Sequence, residues 1–206
     1  MDGPEFLHNR NRPSHSLSSP YNYVYNAIKR LRDHAISVGA IQTTTRYSLP
    51  FPQEIVRTYI DLGFDSIFIR SLTPLGKAKD SWDELGYSAE EFLSFYQNII
   101  DELIQANLDG YRIREVTASI FLNRIRGGAV NYMELRSPCG AGIGQLAYYA
   151  DGRIFTCDEG RMLAEMGDSS FQLGNVNTDT YESLMKNGVC RTVCAASTLE
   201  TIPGCC

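Results

Sequence analysis

The chain has no cluster of Lys or Arg, no long apolar run and no cysteine before residue 139. Each absence excludes something. With a net charge of −5 and a pI near 5.2, there is no electrostatic footprint for nucleic acid or an anionic membrane surface. The apolar stretches are short and broken by charge, so no segment reads as a membrane span, and MDGPEFLHNRNR has no apolar signal-peptide core. The chain is therefore read as cytoplasmic, with no nucleic-acid or membrane partner. Internal repeats are also lacking. What is present is 43% hydrophobic content over 206 residues, enough for a packed core and one or two modest domains. All six cysteines fall in the last third, and in a cytosolic protein that points to metal or redox chemistry rather than a disulfide framework.

Helical and strand patterns alternate through the first two thirds, which predicts an α/β fold with a parallel sheet. Ser19-Pro20 opens a helix carrying Val24, Ala27, Ile28, Leu31 and Ala35, ending near Gly39. Ile41 to Tyr47 reads as a strand. Pro52 starts a helix with the stripe Ile55, Val56, Tyr59, Ile60 and Leu62, stopped by Gly63, and Asp65 to Arg70 is a short apolar strand running into the loop Ser71 to Gly76. Ser88 and Glu91 form a capping box before a long helix with a wide apolar face, and Val116 to Ile125 is a further helix broken by Arg126-Gly127-Gly128. From about Asn131 the pattern changes to Gly, Cys and aromatic residues. This places a domain boundary there, giving domains over 1–130 and 131–206. The second holds one short helix near Thr180, with Tyr181, Leu184 and Met185 buried and Gly188 after it.

The densest signal is CGAGIGQLAYYADGRIFTCDEG, from Cys139. Tyr148-Tyr149 and Arg153 to Phe155 read as strands joined through Ala150-Asp151-Gly152, with Cys157 at the end of the second strand. Two thiolates so arranged form half of an iron–sulfur site, while two ordinary buried thiols are the plainer alternative. Cys190-x(3)-Cys194 is a close pair of the kind zinc takes, and with Cys205 and Cys206 it makes a candidate zinc site. The steps at Gly140, Gly142 and Gly144 are not a dinucleotide fingerprint, because no strand-to-helix turn surrounds them.

Four segments together resemble the radical S-adenosylmethionine enzymes with a SPASM auxiliary-cluster domain, the group of anaerobic sulfatase-maturating enzymes and peptide maturases. Asp2-Gly3-Pro4 with His8 and Arg12 resembles S-x-D-G-P…H-D-x-x-R. Ile69 to Ala78 resembles R-x-L-x-P-x-G-x-A, Cys139 to Cys157 fits C-x(9–15)-G-x(4)-C, and Leu173-Gly174-Asn175-Val176 fits L-G-N-[IV]. Within the family, the chain most resembles the maturases of the His-Xaa-Ser peptide system. The resemblance implies the C-terminal part of a partial (β/α)6 TIM-type barrel, followed by an incomplete, Cys-containing SPASM domain with a β-hairpin.

It also implies an enzyme that makes a 5′-deoxyadenosyl radical, abstracts hydrogen from a peptide or protein substrate and passes an electron through auxiliary clusters. The implied cofactors are [4Fe-4S] clusters and S-adenosylmethionine, with a flavodoxin or ferredoxin as reductant and zinc as the alternative metal. Cys139 and Cys157 would ligate the first auxiliary cluster, Cys205 is the candidate for the next ligand, and Cys190, Cys194 and Cys206 have no assigned place. Asp158 would be the catalytic base, with Glu159 its rival, although an exposed turn Asp is the commoner meaning. Asp2, Gly3, Arg12 and Arg70 would lie on the cofactor side, Arg12 and Arg70 through bidentate carboxylate contacts or else as plain surface ion pairs. His8 reads as a turn residue. No C-x-x-x-C-x-x-C occurs, and the second SPASM half is absent. The chain is thus expected to be a fragment, inactive alone. A non-catalytic, metal-binding peptide-recognition module is the alternative reading.

Overall fold

A buried stripe recurring at helical spacing and two short apolar strands must find each other, and in the first half of the chain they do. The computed structural model describes residues 1–16, 19–128 and 140–195. It divides into two units, Met1–Gly127 and Gly128–Cys206.

In the first unit the order is α1 (Glu5–Asn11), α2 (Pro20–Asp33), β1 (Ala40–Thr43), a 3-10 turn (Arg46–Ser48), α3 (Pro52–Asp61), β2 (Ser66–Arg70), α4 (Lys77–Asp80), α5 (Trp82–Leu85), α6 (Ala89–Leu108), β3 (Arg114–Glu115) and α7 (Val116–Ile125). The sheet runs β1-β2-β3, all parallel, with Thr43 opposite Arg70 and Ile67 opposite Glu115. Ala40, Ile67 and Ile69 face a core filled by Ile55, Val56 and Tyr59 of α3 and Phe95, Ile99 and Leu103 of α6. On the other face Ile41 is half exposed, although parallel sheets are commonly covered on both sides.

Several expected bounds shift for local reasons. The strand from Ile41 stops at Thr43, because Thr44 Oγ1 donates to Gln42 Oε1 (2.8 Å) and Thr45 N–H to Ser48 Oγ (3.1 Å), which turns the chain into the 3-10 turn. Ser19 caps α2 as expected, but the helix ends at Asp33, Leu31 is exposed, and Ala35 adopts φ 57° well before Gly39. The capping box holds at α6: Ser88 N–H donates to Glu91 Oε2 (2.7 Å) and Glu91 N–H to Ser88 Oγ (3.2 Å). Its buried stripe is narrower than the sequence suggests, since Leu93, Ile104 and Leu108 are exposed.

The second unit contains β4 (Ala147–Tyr148), β5 (Arg153–Phe155), α8 (Asp158–Glu165), β6 (Gln172–Asn175), α9 (Tyr181–Lys186) and α10 (Gly188–Ala195). Its sheet is antiparallel in the order β4-β5-β6. The hairpin falls at Ala150 to Gly152, where Gly152 takes φ 87° and an added Cβ would stand 2.8 Å from Asn175 Oδ1. Among the described residues, three helices occur where one was expected. Gly188, read as a stop, opens α10, because Asn187 Oδ1 accepts from Val189 N–H (2.8 Å) and serves as a new cap. Tyr181 is exposed rather than buried, while Leu184 does enter the core. Among the described residues that core shows two small clusters, one around Ala141, Cys157 and Val193, the other around Ile154, Leu173, Leu184 and Cys190, with Val189 packing against both.

Candidate functional site

In the first unit, the candidate residues gather at the C-terminal end of β1, the end where βα folds carry ligands. Asp2 is buried, and its carboxylate accepts from Arg12 Nε (2.9 Å) and from Thr43 N–H (3.3 Å). Arg12 also donates to Thr43 Oγ1 (3.3 Å), and the hydrogen bond to Asp2 raises its pKa. Asp2 N–H donates to His8 Nδ1 (3.1 Å). The same nitrogen lies 3.8 Å from Asp2 Oδ2, but an Nδ1 that accepts an N–H carries no proton. Burial lowers the His8 pKa against the pull of Asp2, so the ring is neutral and fixed in one tautomer. His8 is therefore a buried element of α1 rather than a loose turn residue.

Gly3 has φ 121°, and a Cβ there would stand 2.9 Å from Ile55 Cγ1, so only glycine lets the terminus lie against α3. The Tyr59 hydroxyl donates to the Met1 carbonyl, and burial raises its pKa well above the ordinary value. Arg70 ends the neighbouring strand and is exposed, with no side-chain partner among the described residues. The structure thus brings Asp2, Gly3 and Arg12 together and leaves Arg70 one strand away.

Sequence reasoning passed over two residues in this unit. Asn11 Oδ1 accepts from Thr45 Oγ1 (2.9 Å), but its Nδ2 is buried without a partner. An orphaned donor beside the Asp2–Arg12 pair suits a ligand bearing an acceptor. Glu115 is also buried: its carboxylate accepts from Ile69 N–H (3.1 Å), from Ala118 N–H (2.6 Å) and from the Tyr96 hydroxyl. It extends the short β2–β3 ladder with a side chain and caps α7. Glutamate is not a favoured cap, so no local signal marked it.

In the second unit, Cys157 lies beyond β5 as the N-cap of α8, correcting the expectation that it ends the strand. It is buried, and its Sγ accepts from Gly160 N–H (3.3 Å) and from the Thr156 hydroxyl (3.7 Å). Burial raises the thiol pKa, and these two donors oppose the shift. A sulfur fed by an N–H at a helix N-terminus is a donor set suited to a thiolate bound to iron. Asp158 is the first residue of α8 and is exposed, its carboxylate accepting from Arg161 Nε (2.7 Å). It lies in a helix and not in a turn. Glu159 is the carboxylate whose charge and hydrogen bond act on the Cys157 thiol.

Cys190 and Cys194 are one turn apart on α10, with their sulfurs 3.8 Å apart. The Cys190 thiol is 3.8 Å from Gly142 O and the Cys194 thiol 3.9 Å from Ala141 O. Gly142, at φ 74°, donates to Thr156 O (2.8 Å), so the turn over the pair is tied to the residue before Cys157. Cys139, Cys205 and Cys206 lie outside the described residues. Among the described residues, no three His, Cys, Asp or Glu side chains come together as a metal site, and no helix is long and apolar enough to cross a membrane.

No family model matches the chain, and no curated protein matches it. Solved structures do. "Native anSMEcpe with bound AdoMet" superposes with a TM-score of 0.71 at 19% identity, covering 94% of this chain and 50% of that one. The same protein "with bound AdoMet and Kp18Cys peptide" gives 0.69, and "with bound AdoMet and Cp18Cys peptide" gives 0.70, each at 19% identity and covering 94% of this chain and 51% of the other. This chain spans about half the length of the structures it matches. At that identity the likeness is one of fold: mixed α/β, with a three-stranded parallel sheet.

Proposed function

We propose that this chain is part of a radical S-adenosylmethionine, iron–sulfur enzyme that modifies a side chain of a peptide or protein. The observation that carries this reading is that the likeness spans 94% of the chain, in a protein solved with AdoMet and, in two cases, with a peptide. In this reading residues 1–130 are the later part of a partial barrel and residues 131–206 the opening of a SPASM domain.

The residues at the end of β1 suit S-adenosylmethionine. Arg12, held by Asp2, presents a guanidinium for a carboxylate, the buried Asn11 amide offers an unused donor, and Gly3 keeps the backbone close. Arg70 is a second, free guanidinium one strand over. Cys157, with Cys139, would hold an auxiliary [4Fe-4S] cluster, which supplies a path for one electron. Gly160 N–H and the Thr156 hydroxyl stabilise the thiolate form of Cys157. Of the carboxylates beside it, Glu159 acts on the sulfur while Asp158 is held by Arg161, and either would receive a substrate proton as general base. No C-x-x-x-C-x-x-C occurs, so the ligands for the cluster that cleaves S-adenosylmethionine come from another segment, and this chain by itself is inactive.

The test is anaerobic reconstitution of the chain with iron and sulfide, followed by absorbance and electron paramagnetic resonance. A cluster signal that disappears in Cys157→Ala and Cys139→Ala is the expected result. Iron incorporation that both variants leave unchanged overturns the assignment.

A further inference from the structure

The connection from β2 to α6, residues 71–87, is far longer than the usual loop between a strand and a helix, about 2–6 residues. It leaves the C-terminal end of the sheet, the end that carries Asp2 and Arg12. Only Gly86 in it is buried, and none of Leu72, Leu75, Trp82 and Leu85 belongs to the apolar core. Its backbone hydrogen bonds close on the segment itself, as in Lys79 N–H to Gly76 O (3.0 Å), Leu85 N–H to Ser81 O (2.9 Å) and Gly86 N–H to Trp82 O (2.7 Å). The segment therefore keeps its own shape while little packing ties it down.

Two hydroxyls fasten it. At its base, the Tyr87 hydroxyl accepts from Leu72 N–H (2.7 Å) and donates to Thr44 O (3.1 Å), which draws both ends of the segment against the end of β1. Out on α5, Glu84 Oε1 accepts from the Tyr47 hydroxyl. Tyr47 belongs to the 3-10 turn and has the Arg10 guanidinium 3.3 Å above its ring, while Thr45, which caps that turn, bonds Asn11. The outer fastening thus stands on the same turn as the Asn11 and Arg12 site. Gly76 takes φ 55° with nothing within 4 Å of an added Cβ, a joint that packing leaves free.

We propose that α4 and α5 form a lid over the ligand end of the first unit, hinged at Gly76 and Gly86 and clasped by Tyr47 and Glu84. Tyr87 stays in place as the base. The lid opens as one body to admit a molecule to Asp2, Arg12 and Arg70, and closes to exclude water from it. That the molecule is S-adenosylmethionine rests on the function proposed above; the opening does not.

Amide hydrogen exchange on the chain tests both. Losing one hydrogen bond of this kind should speed exchange about fivefold. Tyr47→Phe and Glu84→Ala should each do so at Lys79, Ser81, Leu85 and Gly86 by a common factor, with the α6 amides near Ile99 unchanged. The double variant should add nothing, because both substitutions break the same bond. Unchanged rates, factors that differ from amide to amide, or equal acceleration in α6 overturn the lid. S-adenosylmethionine added to the parent chain should slow Thr43 to Thr45 and the four lid amides together. Slowing of the strand end alone also overturns the lid. Slowing at neither place, with the clasp variants behaving as expected, keeps the lid and overturns S-adenosylmethionine as its ligand.

Discussion

The two units bury different materials. The first has one continuous apolar core between a parallel sheet and two long helices, and its polar groups collect at the strand ends around Asp2. Among its described residues the second has two small clusters, and each includes a buried cysteine, Cys157 in one and Cys190 in the other. Small cores close to the limit of self-sufficiency commonly lean on disulfides or metals. The contrast is between one large apolar core in the first unit and two small clusters that include buried cysteines in the second.

The largest effects should expose that difference in the cores. Ile99→Ala removes a wholly buried side chain between α6 and the sheet and should cost about 2–5 kcal/mol, read as lost amide-exchange protection in residues 40–115. Leu184→Ala, in the smaller cluster, should fall near about 2 kcal/mol, because fewer neighbours lose contact. Equal costs would break the comparison.

Next comes a substitution in which two effects compete. Gly160 is in the first turn of α8, where alanine is favoured by about 1 kcal/mol on helix propensity. An added Cβ would stand 2.7 Å from Phe171 Cβ, and overpacking of that kind costs about 1–3 kcal/mol. Since Phe171 meets it through its own Cβ and not a flexible tip, Gly160→Ala should destabilise on balance and loosen the N–H that feeds Cys157. Chemical denaturation checks the sign, and a more stable variant would show that the second unit yields more easily than its packing implies.

Much of the first unit was legible because its signals are local. Ser88 with Glu91, Pro52 and Gly63 each fix a terminus by chemistry within a few residues, and the stripe from Ile55 to Tyr59 names a buried face. Grouping Asp2, Gly3 and Arg12 also followed from their motif. Glu115 and Asn11 were invisible, since their roles arise from partners on other elements. In the second unit the hairpin was readable from Asp151-Gly152, but α8 and α10 were not. A cysteine cap and an asparagine that ends one helix while starting the next are weak signals until tertiary contacts select them.

Acid and base should separate the units further. His8 has its pKa lowered from 6.5 by burial, so its contribution to the first unit is complete above that value and is lost as pH falls through the folded pKa. Cys157 has its pKa raised from 9.0, so its contribution to the second unit is complete below that value and is lost as pH rises through the folded pKa. Hydrogen exchange, corrected for intrinsic rates, should show the first unit loosening below pH 6.5, and the second above pH 9. His8→Gln should flatten the acid limb. An unchanged acid limb in that variant would move the cause to other groups.

The smallest effects test whether the contrast is confined to the interiors. Each unit has an exposed ion pair at helical i,i+4 spacing, Arg57–Asp61 on α3 and Glu182–Lys186 on α9. Such pairs contribute only about 0.3–0.5 kcal/mol whatever core lies beneath them. Orientation, not the unit, should rank them, because a carboxylate N-terminal to its cation agrees with the helix dipole and the reverse order opposes it. Double-mutant cycles should therefore give Glu182–Lys186 the larger coupling, although it sits on the smaller core. A larger coupling for Arg57–Asp61 would mean that the firmness of the first unit reaches its surface.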